Sequence, residues 1–507
     1  MINSQGTTPH LNISTTTGTP DSGLPKEQLR RQRIPVHSLS LTTSERHIVL
    51  LLVDVLVLNG ALLGALVLRY GYPFSSGVIV EAPHYFILLT IIWGIWACFF
   101  DCYDLVRSAD ASQSVWSTGR AGLLTALTYL TVPYLTPQFP ASRLSAYLFI
   151  GLTTTSVPLW RVVYATIFSQ PSFQQRILIV GAGKSGAELV HELSHKPHFG
   201  NPYAGSGYRV VGFVDDDPAK AGKEVQGVPI LGNRHDLLRL VQAQAIDGVI
   251  VAITHPPHIH PELLQALLDC REQGVRLEPM TCLYERLTGK VPVEHAGQNI
   301  QVVMPPSEAP MQRAFWAGKR LLDLLVGLLG LLVLALVSPL VALANAVSSP
   351  GPLFYMQTRV GKAGRRFKVF KFRSMIPDAE KGSGAVWSRE GDDRVTPVGR
   401  LLRRTRLDEL PQFINVLKGE MSLVGPRPER PEFVADLVAQ VPFYQARHAV
   451  RPGITGWAQV RYRYGSSAHD ALVKLQYDLY YIRHQSVYLE ISILVKTAAV
   501  MIGLKGR

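Results

Sequence analysis

Cysteine is scarce: Cys98, Cys102, Cys270 and Cys282 are the only four in 507 residues. They form no C-x-x-C pair and no metal-ligand spacing, so neither a zinc site nor a disulfide framework is supported, which suits a reducing compartment. Acid is also short, with 38 Asp and Glu against 51 Lys and Arg, a net charge of +13. Neither zinc spacing nor an aromatic RNA-binding run accompanies that excess, and nucleic acid is not expected as a partner. Residues 1–45 hold no run of large apolar side chains and are rich in Ser, Thr, Gly and Pro. They are expected to be a disordered tail, without the basic start and apolar core of a signal peptide.

Apolar residues make up 47% of the chain, and its mean hydropathy is positive. A membrane protein with a basic cytoplasmic side combines these traits with a large positive charge. Apolar stretches at 47–70, 84–100, 121–135 and 144–168 predict a four-helix transmembrane bundle over residues 46–170, since a span takes about 20 residues. The alternative is a set of buried core helices. Lys26, Arg30, Arg31, Arg33 and Arg46 precede the first stretch, whereas 71–83 has no Lys or Arg. That bias predicts both ends of the bundle on the cytoplasmic side.

Residues 175–300 read as a Rossmann-like α/β domain, with strands at 175–180, 208–214 and 248–253 and helices between them. Gly181-Ala182-Gly183-Lys184-Ser185-Gly186 follows the first strand, the place where a glycine-rich loop meets a nucleotide phosphate. Gly181, Gly183 and Gly186 are therefore candidate cofactor-binding positions, and Lys184 a phosphate attractor. The expected acid comes late, because Asp215 lies nearly thirty residues beyond Gly186 rather than about twenty. No Tyr-x-x-x-Lys pair accompanies the loop. A sensor or assembly module with a possible nucleotide is the reading, and a membrane-tethered oxidoreductase or epimerase is the rival.

A fifth apolar segment, 314–347, is interrupted by Ser338-Pro339 and followed by a basic run without acids, from Arg359 through Lys371 and Arg373. A straight span would carry that positive charge outside. Proline bends a helix and restricts the residue before it. A re-entrant helix that turns near Ser338-Pro339 and leaves on its entry face satisfies both facts better than a kinked span. Farther on, Leu402 to Gln412 reads L-R-R-T-R-L-D-E-L-P-Q. Pro411 suits a first helical turn, which places Asp408 and Glu409 near the N-cap and N1. There the helix dipole favours ionised carboxylates and phosphate. The pair suits two roles, a carboxylate nucleophile and a Mg²⁺ ligand; an ordinary helix cap is the alternative.

Several motifs in order are similar to the bacterial polyprenyl-phosphate glycosyl-1-phosphate transferases of the monotopic type. They include Lys319-Arg320 with Asp323, Ser338-Pro339, Gln357-Thr358-Arg359-Val360-Gly361, Asp408-Glu409-Leu410-Pro411-Gln412, Ser422 to Pro428, and Arg451-Pro452-Gly453 through Trp457. The resemblance covers residues 312–507. Together with the bundle and the α/β domain it implies the large multidomain branch of that family: a multidomain membrane protein whose mainly α-helical catalytic domain is anchored by a re-entrant membrane helix. It implies that Asp408 attacks the sugar-bearing phosphate of a UDP-sugar, releasing UMP. Undecaprenyl phosphate then takes the sugar-phosphate, with glucose or galactose as the expected sugar. The product would begin exopolysaccharide, capsule or O-antigen synthesis at the cytoplasmic face of the bacterial inner membrane. Glu409 would bind Mg²⁺.

Lys371, Arg373, Arg427 and Arg451 are the candidate substrate-binding residues: the guanidinium groups of Arg373 and Arg427 suit a bidentate grip on diphosphate oxygens, and Arg451, before Pro-Gly at an expected turn, suits the nucleotide or lipid phosphate. Trp457 suits either base stacking or a core. Lys362, Arg365 and Arg366 suit lipid headgroups, and a homodimer fits the multidomain build. A non-catalytic scaffold for polysaccharide assembly is the second rival.

Overall fold

The computed structural model describes residues 43–70, 82–132, 134–136, 143–168, 174–194, 207–253, 259–295, 310–377, 379, 392–462, 465 and 467–502. The tail expected over most of 1–45 and the residues 296–309 lie outside them.

Four long helices form the first unit among the described residues: α1 (Thr43–Tyr70), α2 (Pro83–Phe99), α3 (Ala111–Thr131) and α4 (Arg143–Phe168), with a five-residue helix at Leu105–Ala109 ahead of α3. The four long helices overlap the four apolar stretches, α3 beginning ten residues before the stretch expected at 121–135, and share a core that includes Leu62, Trp93, Tyr129 and Phe149. Of the four, only α1 is both long and apolar enough by itself to cross a membrane. Thr, Ser and Gly dilute α3, and α2 has only 17 residues. One ion pair is sealed inside the bundle. Arg161 grips Asp54 at 3.1 and 2.5 Å and reaches Ser108 at 3.1 Å, with both charged side chains fully buried.

The second unit is a six-stranded sheet in the order β3-β4-β2-β1-β5-β6. Its strands are β1 (Gln175–Val180), β2 (Tyr208–Val214), β3 (Glu224–Val225), β4 (Val228–Gly232), β5 (Gly248–Val251) and β6 (Arg276–Pro279). All neighbours are parallel except β3 and β4. Helices α5 (Lys184–Ser194), α6 (Leu237–Ala243), α7 (Pro261–Glu272) and α8 (Met280–Thr288) belong to the same unit. Apolar runs such as Ile177 to Val180 are buried on both faces, as a covered parallel sheet requires. β1 lies between β2 and β5, so the glycine loop sits at the switch point of the sheet, the usual ligand position in such folds.

The third unit is built on α9 (Pro310–Ser348), a single helix of 39 residues. The turn expected at Ser338-Pro339 is not present: the chain stays helical through Pro339 to Ser348. Ser338 Oγ donates to Leu334 O at 2.6 Å, and Leu334 and Val341, on either side of the proline, enter one core with Phe372 and Leu402. That packing holds the helix together where proline removes a hydrogen bond. Lys319, Asp323, Gly327, Gly330, Leu334, Val341 and Asn345 form a buried stripe at helical spacing. Leucines such as Leu325, Leu328, Leu332 and Leu336 are exposed on the other faces.

The stripe docks α9 on a small, mainly helical domain. Its elements are the antiparallel hairpin β7 (Phe354–Val360) and β8 (Arg366–Phe372), α10 (Pro397–Arg404), α11 (Phe413–Lys418), α12 (Pro431–Gln440), α13 (Ala468–Arg483) and α14 (Val487–Ile502), with β9 (Ser422–Val424) paired to β10 (Gly453–Thr455). At Gly330 an added Cβ would lie 2.4 Å from the Phe413 ring, so α9 and α11 approach too closely for any larger residue. Asp323 accepts from Ser422 Oγ and Leu423 N, and Lys319 donates to Val424 O and Glu490. The units are also joined to one another. Glu285 of α8 receives Arg483 and His484 at 2.7 Å each, and Lys496 pairs with Asp101 beside the bundle.

Candidate active site

Asp408 and Glu409 lie on a 3₁₀ turn, Leu407–Gln412, that runs into α11. They are its second and third residues rather than the cap of an α-helix. Pro411 has no N–H to offer the α pattern, and Glu409 N bonds back to Arg406 O at 3.2 Å in the tighter i to i−3 register. Successive residues then diverge by about 120°, which separates the two carboxylates further than expected. α11 has only six residues, so the field at the dyad is set by side-chain cations more than by a helix dipole.

Those cations come from three directions. Lys371 and Phe372 are neighbours on β8 and point to opposite faces: Phe372 enters the α9 core while Lys371 Nζ reaches Glu409 Oε1 at 2.9 Å. Arg427 Nη2, from the loop after β9, meets the same oxygen at 2.7 Å. Arg403 of α10 contributes charge beside Asp408 and is fixed by a 2.9 Å bond to Ser374 Oγ. Asn415 is fully buried and ties α11 to β8, accepting from Phe370 N and donating to Lys368 O. That brace holds the dyad's turn against the strand that carries Lys371.

The two acids titrate in opposite directions. Burial pushes Glu409 up, but Arg427 and Lys371 outweigh it and hold the carboxyl well below its usual range. Burial and then the negative charge of Glu409 raise Asp408, with Lys371, Arg403 and Arg427 pulling partly back. Asp408 makes no hydrogen bond to the protein among the described residues and borders a cavity of about 920 Å³. Among the described residues of the lining, basic side chains outnumber acidic ones ten to four, a field suited to a polyanion.

Of the proposed substrate residues, Lys371 and Arg427 meet at Glu409. Arg373 borders the cavity, yet its three nitrogens face Pro352 O, Ser349 Oγ and Ser349 O. It fastens the end of α9 to β8 in place of the open diphosphate grip expected. Arg451 is not among the described residues of the cavity wall; it lines a separate small pocket together with Lys319 and Asp323. Trp457 is buried, donates to Gly289 O at 3.0 Å and stacks on Tyr480, so it is a joint to the α/β domain and not a base platform.

Arg359, Arg403, Arg447 and Asp478 also line the cavity, and local sequence pattern assigns a role to none of them. An acid and an arginine fully buried together leave little trace in a local pattern. Arg447 Nη2 meets Asp478 at 2.8 Å across 31 residues, and burial pushes Asp478 up to about 6 against the pull of that arginine.

For a divalent ion, no group of three His, Cys, Asp or Glu side chains exists among the described residues. Mg²⁺ needs only one or two carboxylates when diphosphate oxygens complete its shell. Glu409 Oε2 carries no protein partner among the described residues, so the dyad fits that requirement.

At the glycine loop, Gly181 has φ +105°, and a Cβ on Gly186 would sit 2.2 Å from Gly181 O. Gly183 has open space around it. Ala182 N donates to Asp215 Oδ2 at 2.7 Å, Ser185 Oγ meets His295 Nδ1 at 3.0 Å, and His295 Nε2 meets Glu188. The first turn of α5 is thus engaged by the chain's own side chains.

Residues 314–503 match the model of the bacterial sugar transferase family, and residues 98–277 match that of a CoA-binding domain. An N-acetylgalactosaminephosphotransferase of Aeromonas hydrophila that uses UDP-N-acetylgalactosamine and undecaprenyl phosphate is 45% identical over 49% of this chain and 57% of its own length, less than two thirds of that relative. UDP-glucose:undecaprenyl-phosphate glucose-1-phosphate transferases of Xanthomonas campestris pv. campestris and Escherichia coli (strain K12) are 33% and 34% identical. The first covers 65% of this chain and the second 64%, and each match spans 67% of the relative. With the family match covering the domain that carries the dyad and these two relatives alike over two thirds of their own length, the chain belongs to the bacterial sugar transferase family, the polyprenyl-phosphate glycosyl-1-phosphate transferases.

Proposed function

We propose that the chain transfers a sugar-1-phosphate from a UDP-sugar to undecaprenyl phosphate in two displacements at Asp408. The observation that carries this reading is the contrast within the dyad: Glu409 is clamped by two cations, while Asp408 faces a basic cavity with no protein hydrogen bond among the described residues. In the first step Asp408 Oδ attacks the sugar-bearing phosphorus, the bond to the bridging oxygen breaks, and UMP leaves with that electron pair. In the second, a phosphate oxygen of undecaprenyl phosphate attacks the same phosphorus. The aspartyl bond breaks, and undecaprenyl diphosphate-sugar forms with the carboxylate restored.

Lys371, Arg403 and Arg427 keep Asp408 ionised and stabilise charge on the transferring phosphoryl group. Glu409 Oε2 is the position that would hold Mg²⁺, which when bound neutralises diphosphate oxygens and eases departure of UMP. The sugar is a hexose; the names of the relatives add N-acetylgalactosamine to the glucose or galactose expected from the sequence. The pathway is exopolysaccharide, capsule or O-antigen synthesis, and a relative from Rhizobium leguminosarum bv. phaseoli is an exopolysaccharide production protein.

The α9 stripe supports anchoring in one leaflet. From Lys319 to Asn345 a helix rises about 39 Å, longer than the roughly 30 Å hydrocarbon core. The catalytic domain is docked along all of it, so a straight crossing would drag that domain through the bilayer. An embedded outer face with the domain at headgroup level brings a lipid phosphate to Asp408, on the cytoplasmic side that the basic segments prefer. The α/β domain serves as a docking module for the catalytic domain, through Glu285 and Gly289. Incubation with UDP-sugars, Mg²⁺ and undecaprenyl phosphate tests the function: UMP release that Asp408→Asn abolishes supports it, and absence of release with every common UDP-sugar rejects it.

A further inference from the structure

The loop that carries Arg427 is Gly425-Pro426-Arg427-Pro428-Glu429, and its two prolines have no N–H with which to anchor it. Gly425 N donates to Thr455 O at 2.9 Å, and from Pro426 onward the loop is held through its carbonyls. Pro426 O accepts from Gly453 N at 3.0 Å, and Glu429 O from Val360 N at 3.0 Å. Between them, Arg427 O accepts from Arg447 Nη2 at 3.0 Å, and Pro428 O from Arg359 Nη1 at 3.1 Å. Four successive carbonyls each meet a donor, and the middle two donors are guanidinium groups.

Arg447 is buried and both of its terminal nitrogens are engaged by protein. Nη1 meets the Tyr444 hydroxyl, and Nη2 is shared between Arg427 O and Asp478 Oδ2. Asp478 is also buried, on α13. A planar guanidinium can hold two acceptors at a fixed angle, which the single point charge of lysine cannot.

We infer that Arg447, anchored by Asp478, is a positioning residue for sugar-phosphate transfer: it fixes the Arg427 carbonyl so that the Arg427 guanidinium reaches Glu409, and Arg359 does the same through Pro428. The inference rests on the transferase reading above. Although Arg447 borders the cavity, both of its terminal nitrogens are taken up by protein, so it acts on the reaction through Arg427 and its loss is felt only while Arg427 is there to be misplaced.

A double-mutant cycle on UMP release tests this, because residues that work through one contact lose less together than the product of their separate losses. Arg447→Lys is expected to lower kcat by about 10- to 100-fold, with KM for the UDP-sugar changed much less. In the Arg427→Lys background the same substitution is expected to cost under about threefold. Arg359→Lys goes through the same cycle, with thermal melting of each variant, and decides the matter if Arg447→Lys does not fold. Losses that multiply, or wild-type kcat in Arg447→Lys and Arg359→Lys, overturn the inference while an active wild type leaves the transferase reading intact. A wild type that releases no UMP overturns both.

Discussion

Arg427 donates to Glu409 Oε1 at 2.7 Å and leaves the adjacent Asp408 without a protein hydrogen bond among the described residues. Two neighbouring carboxylates therefore live in different electrostatic worlds, one neutralised by contact and the other only by the surrounding field.

Removal of the clamp exposes that difference. Arg427→Ala is expected to lower kcat for UMP release by about 100-fold, the size of effect seen when one charge-stabilising donor is lost. Lys371→Met should act similarly. Since both cations meet the same Glu409 oxygen, the double variant should lose less than the product of the single losses. Steady-state kinetics on the three variants checks this.

Stability should move in opposite directions at the two acids. Burial and Glu409 raise the folded pKa of Asp408, so above its ordinary range the ionised form works against the fold. Asp408→Asn is expected to melt higher than wild type at pH 7. The pKa of Glu409 is depressed in the fold. Its ionised form therefore contributes stability above the unfolded value, which is lost as pH falls through the folded one. Glu409→Gln is expected to melt lower, and thermal denaturation in one detergent compares the pair.

The acid side of the pH–rate profile follows from the same shift. Asp408 attacks only when ionised, so activity should fall with decreasing pH at a value above the usual carboxylate range. In Glu409→Gln the neighbouring negative charge is gone, and the limb should move to lower pH in whatever activity remains. The pH dependence of UMP release measures both.

Arg373 and Arg451 make a contrast in location. Arg373→Ala frees the end of α9 from β8 and should lower the melting temperature and the activity together. Arg451 is outside the cavity wall, and Arg451→Ala should leave KM for the UDP-sugar within about twofold, as for surface changes away from a site. Melting curves and KM values for the two variants separate the cases.

In the bundle, Asp54→Ala strands a fully buried Arg161. The expected cost is about 3–5 kcal/mol, seen as a lower melting temperature, and Asp54→Leu with Arg161→Leu should recover much of it.

Much of this arrangement was legible in the chain. The alternation of strands and helices around Gly181 fixed the parallel sheet, and the four apolar stretches located the bundle. Lys371 and Arg427 stand in motifs that flank the dyad, and the fold brings both to Glu409. Arg373 was misread because a sequence names a guanidinium without saying whether its donors face a ligand or Ser349. Pro339 misled for a similar reason: local propensity favours a turn there, but packing of Leu334 and Val341 into one core outweighs it. Arg447 and Asp478 were invisible because their partnership exists only after α13 folds against the loop of Arg427.

The most direct test of the central claim is transfer of label from a UDP-sugar, radiolabelled in the sugar-bearing phosphate, to the protein in the absence of undecaprenyl phosphate. After an acid quench, wild type should retain label with UMP released in equal amount, and added undecaprenyl phosphate should discharge it before the quench. Asp408→Asn should retain none. Full UMP release from Asp408→Asn, or transfer that never labels wild type, would contradict the account.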